Sequence, residues 1–179
     1  MEKTLAERFG NIDWLILDVD GVLTPGSITY PADGTLSLEQ KSFHVRDGSA
    51  LKIWHDVGKF SAIITGRRSP MVERRAQELG VTHVVQGSDS KGDALARFQT
   101  DFDVDAEQIG YVGDDLADLP VLRQAGLAVT VADGCSDVMS MAHYVTQASG
   151  GLGAVREIIE RILRCQGLWP EQAGVPART

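Results

Sequence analysis

Short apolar runs, typical of buried strands, alternate along the chain with segments whose apolar residues recur at helical spacing. The predicted strands are residues 12–17, 60–64, 82–85, 109–112, 127–131 and 144–145. The predicted helices are residues 47–57, 71–79, 90–102, 116–124, 136–141 and 154–165, with Asp47 as the cap of the first. Strands that alternate with helices predict an α/β fold, with a mainly parallel sheet covered by helices on both faces.

A polar, glycine-containing stretch after the first strand interrupts this alternation. Residues 31–34 (Pro-Ala-Asp-Gly) favour a turn between two short strands at residues 27–30 and 35–38. We therefore predict a β-hairpin flap over about residues 25–43, standing over the end of the first strand. The length of the chain fits one domain, residues 1–179.

The tail, about residues 167–179, contains two prolines and two glycines, and we expect it to be flexible in isolation. The alternative is that Leu168 and Trp169 dock onto a neighbouring subunit, because an exposed tryptophan segment rarely stays without a partner.

Composition narrows the classes of function. The net charge of −8 argues against an extended nucleic-acid surface, which needs a basic face. Cys135 and Cys165 lie far apart, so neither a disulfide framework nor a zinc site is expected. No stretch approaches the roughly 20 apolar residues of a membrane span, and the charged first ten residues lack a secretory signal. The predicted location is cytoplasmic, without a membrane or nucleic-acid partner.

Two carboxylates lie where the first predicted strand ends. Asp18 and Asp20 belong to the segment Asp-Val-Asp-Gly-Val-Leu-Thr at residues 18–24. Carboxylates this close repel each other, and a hard cation such as Mg²⁺, which prefers oxygen ligands, relieves that repulsion. The pair could then divide a reaction, one attacking phosphorus and the other handling protons. Taken alone, the same residues fit equally well a turn that uses Asp and Gly for backbone reasons.

The later strands also end in polar residues. Thr65 follows the second strand, Lys91 begins the helix after the third, and the fourth is followed by Asp114, Asp115 and Asp118. In parallel sheets ligands bind beyond the carboxyl ends of the strands, and these side chains suit a phosphoryl group and a cation. Each also has a plainer use, such as helix capping by Thr65 or Asp115 or a solvated surface position for Lys91.

The order of these residues resembles the haloacid dehalogenase superfamily of phosphotransferases: Asp-x-Asp, then Thr, then Lys, then Gly-Asp-Asp-x-x-Asp, each at a successive strand end. Further segments look like the 3-deoxy-D-manno-octulosonate 8-phosphate phosphatase family. They are Phe-His-Val-Arg-Asp-Gly (residues 43–48), Thr-Gly-Arg (65–67) with Arg75 downstream, and Gly-Gly-Leu-Gly-Ala-Val-Arg-Glu (150–157). The resemblance covers about residues 12–167, nearly the whole chain.

The resemblance implies a three-layer, Rossmann-like fold without a large cap domain, in which the hairpin is a small flap. It implies a homotetramer whose neighbouring subunits help to close each active site. Asp18 would be the nucleophile and a Mg²⁺ ligand, and Asp20 the general acid and then base, with its backbone carbonyl on the metal. Asp114 would be the third metal ligand, with Asp115 and Asp118 just behind the ligands. Thr65 and Lys91 would hold the transferring phosphoryl group.

The resemblance also implies a set of substrate-binding residues: Asp20, His44, Val45, Arg46, Asp47, Gly48, Lys52, Gly66, Arg67, Arg75 and Lys91. An arginine in this set could equally form a surface or intersubunit salt bridge. Two positions depart from the family pattern, His44 in place of Asn and Pro25-Gly26 in place of Asp-Gly. Both lie near the expected substrate or flap, so they bear on the choice of sugar.

These observations lead to four candidate functions. The first is Mg²⁺-dependent hydrolysis of 3-deoxy-D-manno-octulosonate 8-phosphate, a phosphorylated sugar acid on the route to lipopolysaccharide, through an aspartyl-phosphate on Asp18. The second is the same reaction on a nonulosonate 9-phosphate. The third is a receiver-like phosphoacceptor, although a receiver carries its phosphorylated Asp after the third strand, where this chain has Gln-Gly-Ser at residues 86–88. The fourth is a catalytically silent oligomerisation module.

Overall fold

A parallel sheet forms the centre of the fold. The computed structural model describes residues 3–29 and 40–170. The strands are β1 (Trp14–Leu17), β2 (Phe60–Thr65), β3 (His83–Gln86), β4 (Ile109–Val112), β5 (Leu127–Thr130) and β6 (Tyr144–Val145). They pair in the order β3-β2-β1-β4-β5-β6, and every pairing is parallel.

Helices cover both faces of the sheet. The described helices are α1 (Leu5–Asn11), α2 (Val45–Asp56), α3 (Pro70–Leu79), α4 (Lys91–Phe102), α5 (Leu119–Leu122), α6 (Ser136–Met141) and α7 (Ala154–Cys165). Short 3₁₀ turns lie at Ala106–Gln108 and Leu116–Asp118. One apolar core contains side chains of α1, α2, α3 and α7, and the other contains side chains of α4, α5 and α6. The predicted three-layer α/β fold is confirmed.

The alternation of side chains along β1 explains why both faces are covered. Leu15 and Leu17 belong to the core beneath α2 and α7, whereas Ile16 belongs to the core beneath α4 and α5. Successive side chains of a strand point to opposite faces, so a run that is apolar throughout needs cover on both sides. All three side chains are fully buried, as that pattern requires.

Residues just after α7 are held against it. The backbone N–H groups of Leu168 and Trp169 donate to Leu163 O at 2.8 and 3.2 Å. The Trp169 ring lies under two guanidinium groups, those of Arg156 and Arg164, whose carbons are 4.6 and 5.6 Å from the ring centroid. Leu168 and Trp169 are therefore held against α7 of their own chain, and the flexibility of the tail stays a prediction. The rest of the predicted tail, residues 171–179, lies outside the described residues.

Three details differ from the sequence-based expectations. α1 was not predicted, although Thr4 and Glu7 form a capping box at its start. The helix predicted over residues 116–124 is divided into the 3₁₀ turn and α5. The predicted cap of α2 was wrong, because His44 occupies the N-cap position and Asp47 lies inside the first turn.

The β-hairpin flap falls mostly on residues 30–39, outside the described part of the chain. No helix within residues 3–29 and 40–170 is long and apolar enough to cross a membrane.

Candidate active site

The candidate site lies where the chain changes direction across the sheet. β1 pairs with β2 on one side and with β4 on the other, so the connections that leave β1 and β4 diverge. Such a switch point forms a crevice at the carboxyl ends of the strands. Asp18 directly follows β1, and its N–H donates to Val112 O, the last residue of β4, at 3.0 Å. This bond places the Asp18 carboxylate beside the segment that carries Asp114.

Three carboxylates meet in this crevice. Asp18, Asp114 and Asp118 each offer an oxygen, and these oxygens lie within 4.8 Å of one another. Burial raises the pKa of Asp18 to about 6, with the charge of Asp118 adding to the rise and that of Lys91 opposing it. Burial and the charges of Asp18 and Asp118 raise the pKa of Asp114 to about 7. The site therefore disfavours the charged forms of Asp18 and Asp114, and a bound cation would stabilise them.

Lys91 is a buried cation in the crevice. It is the first residue of α4, and its side chain is only 6% exposed. Its ammonium nitrogen lies 2.6 Å from Asp118 Oδ1 and 3.0 Å from Asp18 Oδ1. Burial alone would lower the pKa of Lys91, but the two carboxylates outweigh this effect and raise it. Lys91 is therefore charged at neutral pH and lies beside the candidate nucleophile.

Asp118 receives more hydrogen bonds than its neighbours. Oδ1 accepts the Lys91 ammonium at 2.6 Å and the Tyr111 hydroxyl at 2.5 Å. Oδ2 accepts the backbone N–H groups of Asp114 and Asp115 at 3.0 and 3.2 Å. The sequence analysis placed Asp118 just behind the metal ligands but missed Tyr111. A tyrosine in an otherwise apolar buried strand was the available signal.

Asp20 lies in a more polar environment than Asp18. Its carboxylate forms an ion pair with Lys41, and its Oδ2 lies 3.8 Å from Arg67 Nε. Thr24 Oγ1 lies 3.4 Å from Asp20 Oδ1. The side chain of Lys41 is only 7% exposed, yet nothing in the local sequence pattern singled it out. Two cations and a hydroxyl therefore orient the Asp20 side chain.

Close backbone packing supports the loop after Asp18. A Cβ atom at Gly21, whose φ is +94°, would overlap the Asp114 carboxylate, so this position requires glycine. A Cβ atom at Gly150 would overlap the carbonyl oxygen of Gly21. The Gly151 N–H donates to Val22 O at 2.8 Å. The glycine-rich segment at residues 150–153 thus presses on the loop that carries Asp20.

A second polar cluster lies at the start of α2. Asp47 is 2% exposed, and its Oδ1 accepts the backbone N–H of Arg156 in α7 at 2.7 Å. Arg75 of α3 lies over Gly48 and within 5.6 Å of the Phe43 ring centroid. Among the described residues, the buried atoms His44 Nδ1, Asp47 Oδ2 and Arg75 Nε have no hydrogen-bond partner. The hydrogen bond between Asp47 and Arg156 joins α2 to α7.

The remaining predicted residues divide between the crevice and the surface. Thr65 ends β2 and is 2% exposed, at the same edge of the sheet as Asp18. Asp115 is exposed, and its Oδ1 accepts the N–H of Leu116 at 2.8 Å, the capping use weighed above. The exposed members of the predicted substrate set are Val45, Arg46, Lys52, Gly66 and Arg67.

Comparisons with known proteins agree on the kind of protein. The family model of haloacid dehalogenase-like hydrolases matches residues 82–159. The chain is 44% identical over 160 residues to a 3-deoxy-D-manno-octulosonate 8-phosphate phosphatase of Yersinia pestis, covering 89% of this chain and 84% of the relative. It is 43% identical over 164 residues to the phosphatase of the same name from Escherichia coli K12, covering 92% and 86%.

A solved structure extends this likeness to the backbone. The phosphatase of the same name from Moraxella catarrhalis, in complex with a magnesium ion, a phosphate ion and a KDO molecule, superposes with a TM-score of 0.86. It is 41% identical, and the match covers 90% of this chain and 91% of that one. The chain belongs to the 3-deoxy-D-manno-octulosonate 8-phosphate phosphatase family. Its place within the haloacid dehalogenase superfamily, inferred above from the order of Asp18, Thr65, Lys91 and Asp114, is confirmed.

The residues of this family member fit a divalent cation. Asp18 Oδ1 is buried and, within residues 3–29 and 40–170, has an ion pair with Lys91 but accepts no aligned hydrogen bond. Burial, together with the charges of neighbouring carboxylates, raises the pKa values of Asp18 and Asp114, and a bound cation would favour their ionised forms. Oxygen ligands in a partly open crevice are the donors that Mg²⁺ prefers. Asp18 and Asp114 are the side chains best placed to hold it, because the oxygens of Asp118 are already used by four donors.

Proposed function

We propose that this chain is a Mg²⁺-dependent phosphatase that hydrolyses 3-deoxy-D-manno-octulosonate 8-phosphate to the free sugar acid and phosphate. The observation that carries the proposal is the contact of 3.0 Å between Asp18 Oδ1 and Lys91 Nζ, at the switch point of the sheet. The family to which the chain belongs supports the same function. A buried carboxylate beside a buried ammonium supplies a nucleophile together with a charge that neutralises phosphoryl oxygens.

In the first half of the reaction Asp18 attacks phosphorus, and the bond between phosphorus and the sugar oxygen breaks. Asp20 gives its proton to that oxygen, which leaves as a neutral hydroxyl group of the sugar acid. An aspartyl-phosphate remains on Asp18. Lys91 and the hydroxyl of Thr65 hold the equatorial phosphoryl oxygens. When bound by Asp18, Asp114 and the backbone carbonyl of Asp20, Mg²⁺ supplies further neutralisation of phosphoryl charge.

In the second half Asp20, now a carboxylate, takes a proton from water as the oxygen of that water attacks phosphorus. The bond to Asp18 breaks, inorganic phosphate leaves, and both aspartates return to their starting states. Lys41 and Arg67 pair with the carboxylate that Asp20 becomes once it has given up its proton.

The substrate carboxylate and hydroxyls need partners beyond this crevice. Arg46, Lys52 and Arg67 are exposed cations in an otherwise acidic chain, and a guanidinium pairs well with a carboxylate. His44, Asp47 and Arg75, of the α2 cluster, complete the proposed substrate set. We place these residues as substrate contacts, some of them from a neighbouring subunit.

A homotetramer is part of the proposal. Four large apolar side chains stay exposed in segments that follow the carboxyl ends of strands: Ile28 at 57%, Val45 at 78%, Leu116 at 56% and Leu152 at 61%. Apolar exposure around a site marks a surface for another protein, and further copies of this chain would cover it. Light scattering that gives a monomer would remove this part of the proposal. Two free thiols, Cys135 and Cys165, fit the proposed cytoplasmic location.

Phosphate release from a panel of sugar phosphates, with and without Mg²⁺, tests the function. We expect metal-dependent release with the highest kcat/KM for the eight-carbon acid 8-phosphate. Preference for a nonulosonate 9-phosphate would leave the proposed mechanism unchanged. It would assign the different substrate specificity to His44 and the residues around Pro25. Absence of metal-dependent release from every substrate would overturn the proposal in favour of a silent module or a phosphoacceptor.

A further inference from the structure

Tyr111 carries a hydroxyl group at a core position where packing alone does not require one. Its side chain is fully buried on β4, in the core formed with α4, α5 and α6. A phenylalanine would fill the same volume without bringing a polar group into the interior. Burying a hydroxyl costs free energy unless it forms a hydrogen bond, so the Tyr111 hydroxyl needs a partner.

That partner is Asp118, at the crevice. The Tyr111 hydroxyl donates to Asp118 Oδ1 at 2.5 Å, on the same oxygen that accepts Lys91 at 2.6 Å. Burial, followed by the charges of Asp118 and Asp18, raises the pKa of Tyr111 well above its usual value. The phenol is therefore protonated, and a hydrogen-bond donor, at neutral pH.

The other oxygen of Asp118 fixes backbone. Oδ2 accepts the N–H groups of Asp114 and Asp115, so the orientation of this one carboxylate sets the path of the segment that carries Asp114. A carboxylate has about four acceptor positions, and here all are taken. Without the Tyr111 hydroxyl, Oδ1 would keep Lys91 alone, and the carboxylate would be free to turn toward the ammonium or toward a cation held by Asp18.

We propose that Tyr111 is a positioning residue, which acts through Asp118 to place Lys91 and the Asp114 segment relative to Asp18. The proposal deepens the proposed function and rests on it. Tyr111 itself touches neither substrate nor metal. Its effect is to keep the ammonium of Lys91 shared between Asp118 and the reacting centre, rather than drawn into a tighter pair with Asp118.

Tyr111→Phe removes one oxygen atom and leaves the ring. Tyr144→Phe is a matched control. The Tyr144 hydroxyl also donates a hydrogen bond of 2.5 Å to a carboxylate, but that carboxylate belongs to Glu157 of α7 and not to the crevice. Both variants and the wild type are assayed for kcat and KM with the eight-carbon sugar acid phosphate and with p-nitrophenyl phosphate. Thermal unfolding of the same proteins is followed while MgCl₂ is added to metal-free samples.

For Tyr111→Phe we expect kcat to fall by about tenfold with a smaller change in KM. The MgCl₂ concentration that gives half of the thermal stabilisation should rise by about tenfold, as for other groups that orient metal ligands. Tyr144→Phe should lower the unfolding temperature while kcat, KM and the MgCl₂ midpoint stay at their wild-type values. If Tyr111→Phe matches Tyr144→Phe in all three quantities, the hydroxyl is merely structural and the proposal is overturned.

Asp118→Asn provides a second route should Tyr111→Phe fold poorly. We expect a loss of kcat at least as large, because Asp118→Asn also removes the charge that pairs with Lys91. We expect Tyr111→Phe to add little in the Asp118→Asn background, because both act along one path. Wild-type kcat in Asp118→Asn, or fully additive losses, would contradict the proposal. A wild type that releases phosphate from neither substrate would refute the proposed function, while the MgCl₂ titration would still test the role of Tyr111.

Discussion

The hydroxyl of Tyr144 donates a hydrogen bond of 2.5 Å to Oε1 of Glu157, which joins β6 to the first turn of α7. The same carboxylate accepts the backbone N–H of Gln147 at 2.9 Å and that of Ala148 at 3.0 Å. Burial alone would raise the pKa of Glu157, but these hydrogen bonds and the charge of Arg161 outweigh it and lower the pKa. The ionised side chain therefore stabilises the fold.

This relationship predicts how stability depends on pH. A carboxyl whose pKa is lower in the folded state contributes stability above its ordinary value of 4.5 and loses it as the pH falls through the folded value. The free energy of unfolding of the wild type should therefore exceed that of Glu157→Gln at pH 7, and the difference should shrink below about pH 4.5. Urea unfolding of both proteins across this range gives the measurement. A difference that stays constant with pH would contradict the assignment.

Asp18→Asn separates activity from stability. We expect phosphate release to be abolished, because an amide cannot attack phosphorus. At pH 8 and without metal, the variant should be more stable than the wild type by on the order of 1 kcal/mol, since the pKa of Asp18 is raised to about 6 and its charged form is disfavoured by burial. Turnover and urea unfolding in the presence of a chelator measure the two effects. Retained turnover would remove Asp18 as the nucleophile.

Lys41→Met tests the ion pair with Asp20. Removal of the ammonium leaves the Asp20 carboxylate with Arg67 at 3.8 Å, so we expect kcat to fall by about tenfold or more, with less change in KM. Lys59→Met is the matched control, because the Lys59 side chain is also 7% exposed and pairs with Asp13 at 2.8 Å, away from the crevice. The control should lose stability and keep its kcat. Equal effects on kcat in the two variants would show that Lys41 has no specific role.

Gly150→Ala tests the packing of the glycine-rich segment on the loop after Asp18. The added methyl group would overlap the carbonyl oxygen of Gly21, so backbone has to move on one side or the other. We expect a loss of about 1–3 kcal/mol in stability together with a lower kcat. Gly10→Ala is the control, since a Cβ atom there meets nothing within 4 Å. Steady-state kinetics and thermal unfolding of both variants measure the outcome, and a fully active Gly150→Ala would mean that the loop tolerates the shift.

The alternation of elements and the positions of the chemistry could be predicted from sequence. β4, α6, β6 and α7 fall at their predicted bounds, and β1 and β2 differ by one or two residues. Periodicity is a local property, and a strand that is apolar on both faces needs helices on both sides. Because the strands are parallel, their carboxyl ends meet, which is why Asp18, Lys91 and Asp114 could be placed at one edge.

Contacts between distant parts of the chain were decided by the tertiary structure. Sequence reasoning treated Asp47 as the cap of its own helix, whereas its carboxylate binds the N–H of Arg156, 109 residues away. It placed Asp118 near the metal, whereas packing brings that carboxylate two side-chain donors, Lys91 of α4 and Tyr111 of β4. The sequence by itself determined which residues lie on which face and at which end of an element. Which carboxylate meets which cation depends on how the layers pack, because partners far apart in the chain are brought together only when the core closes.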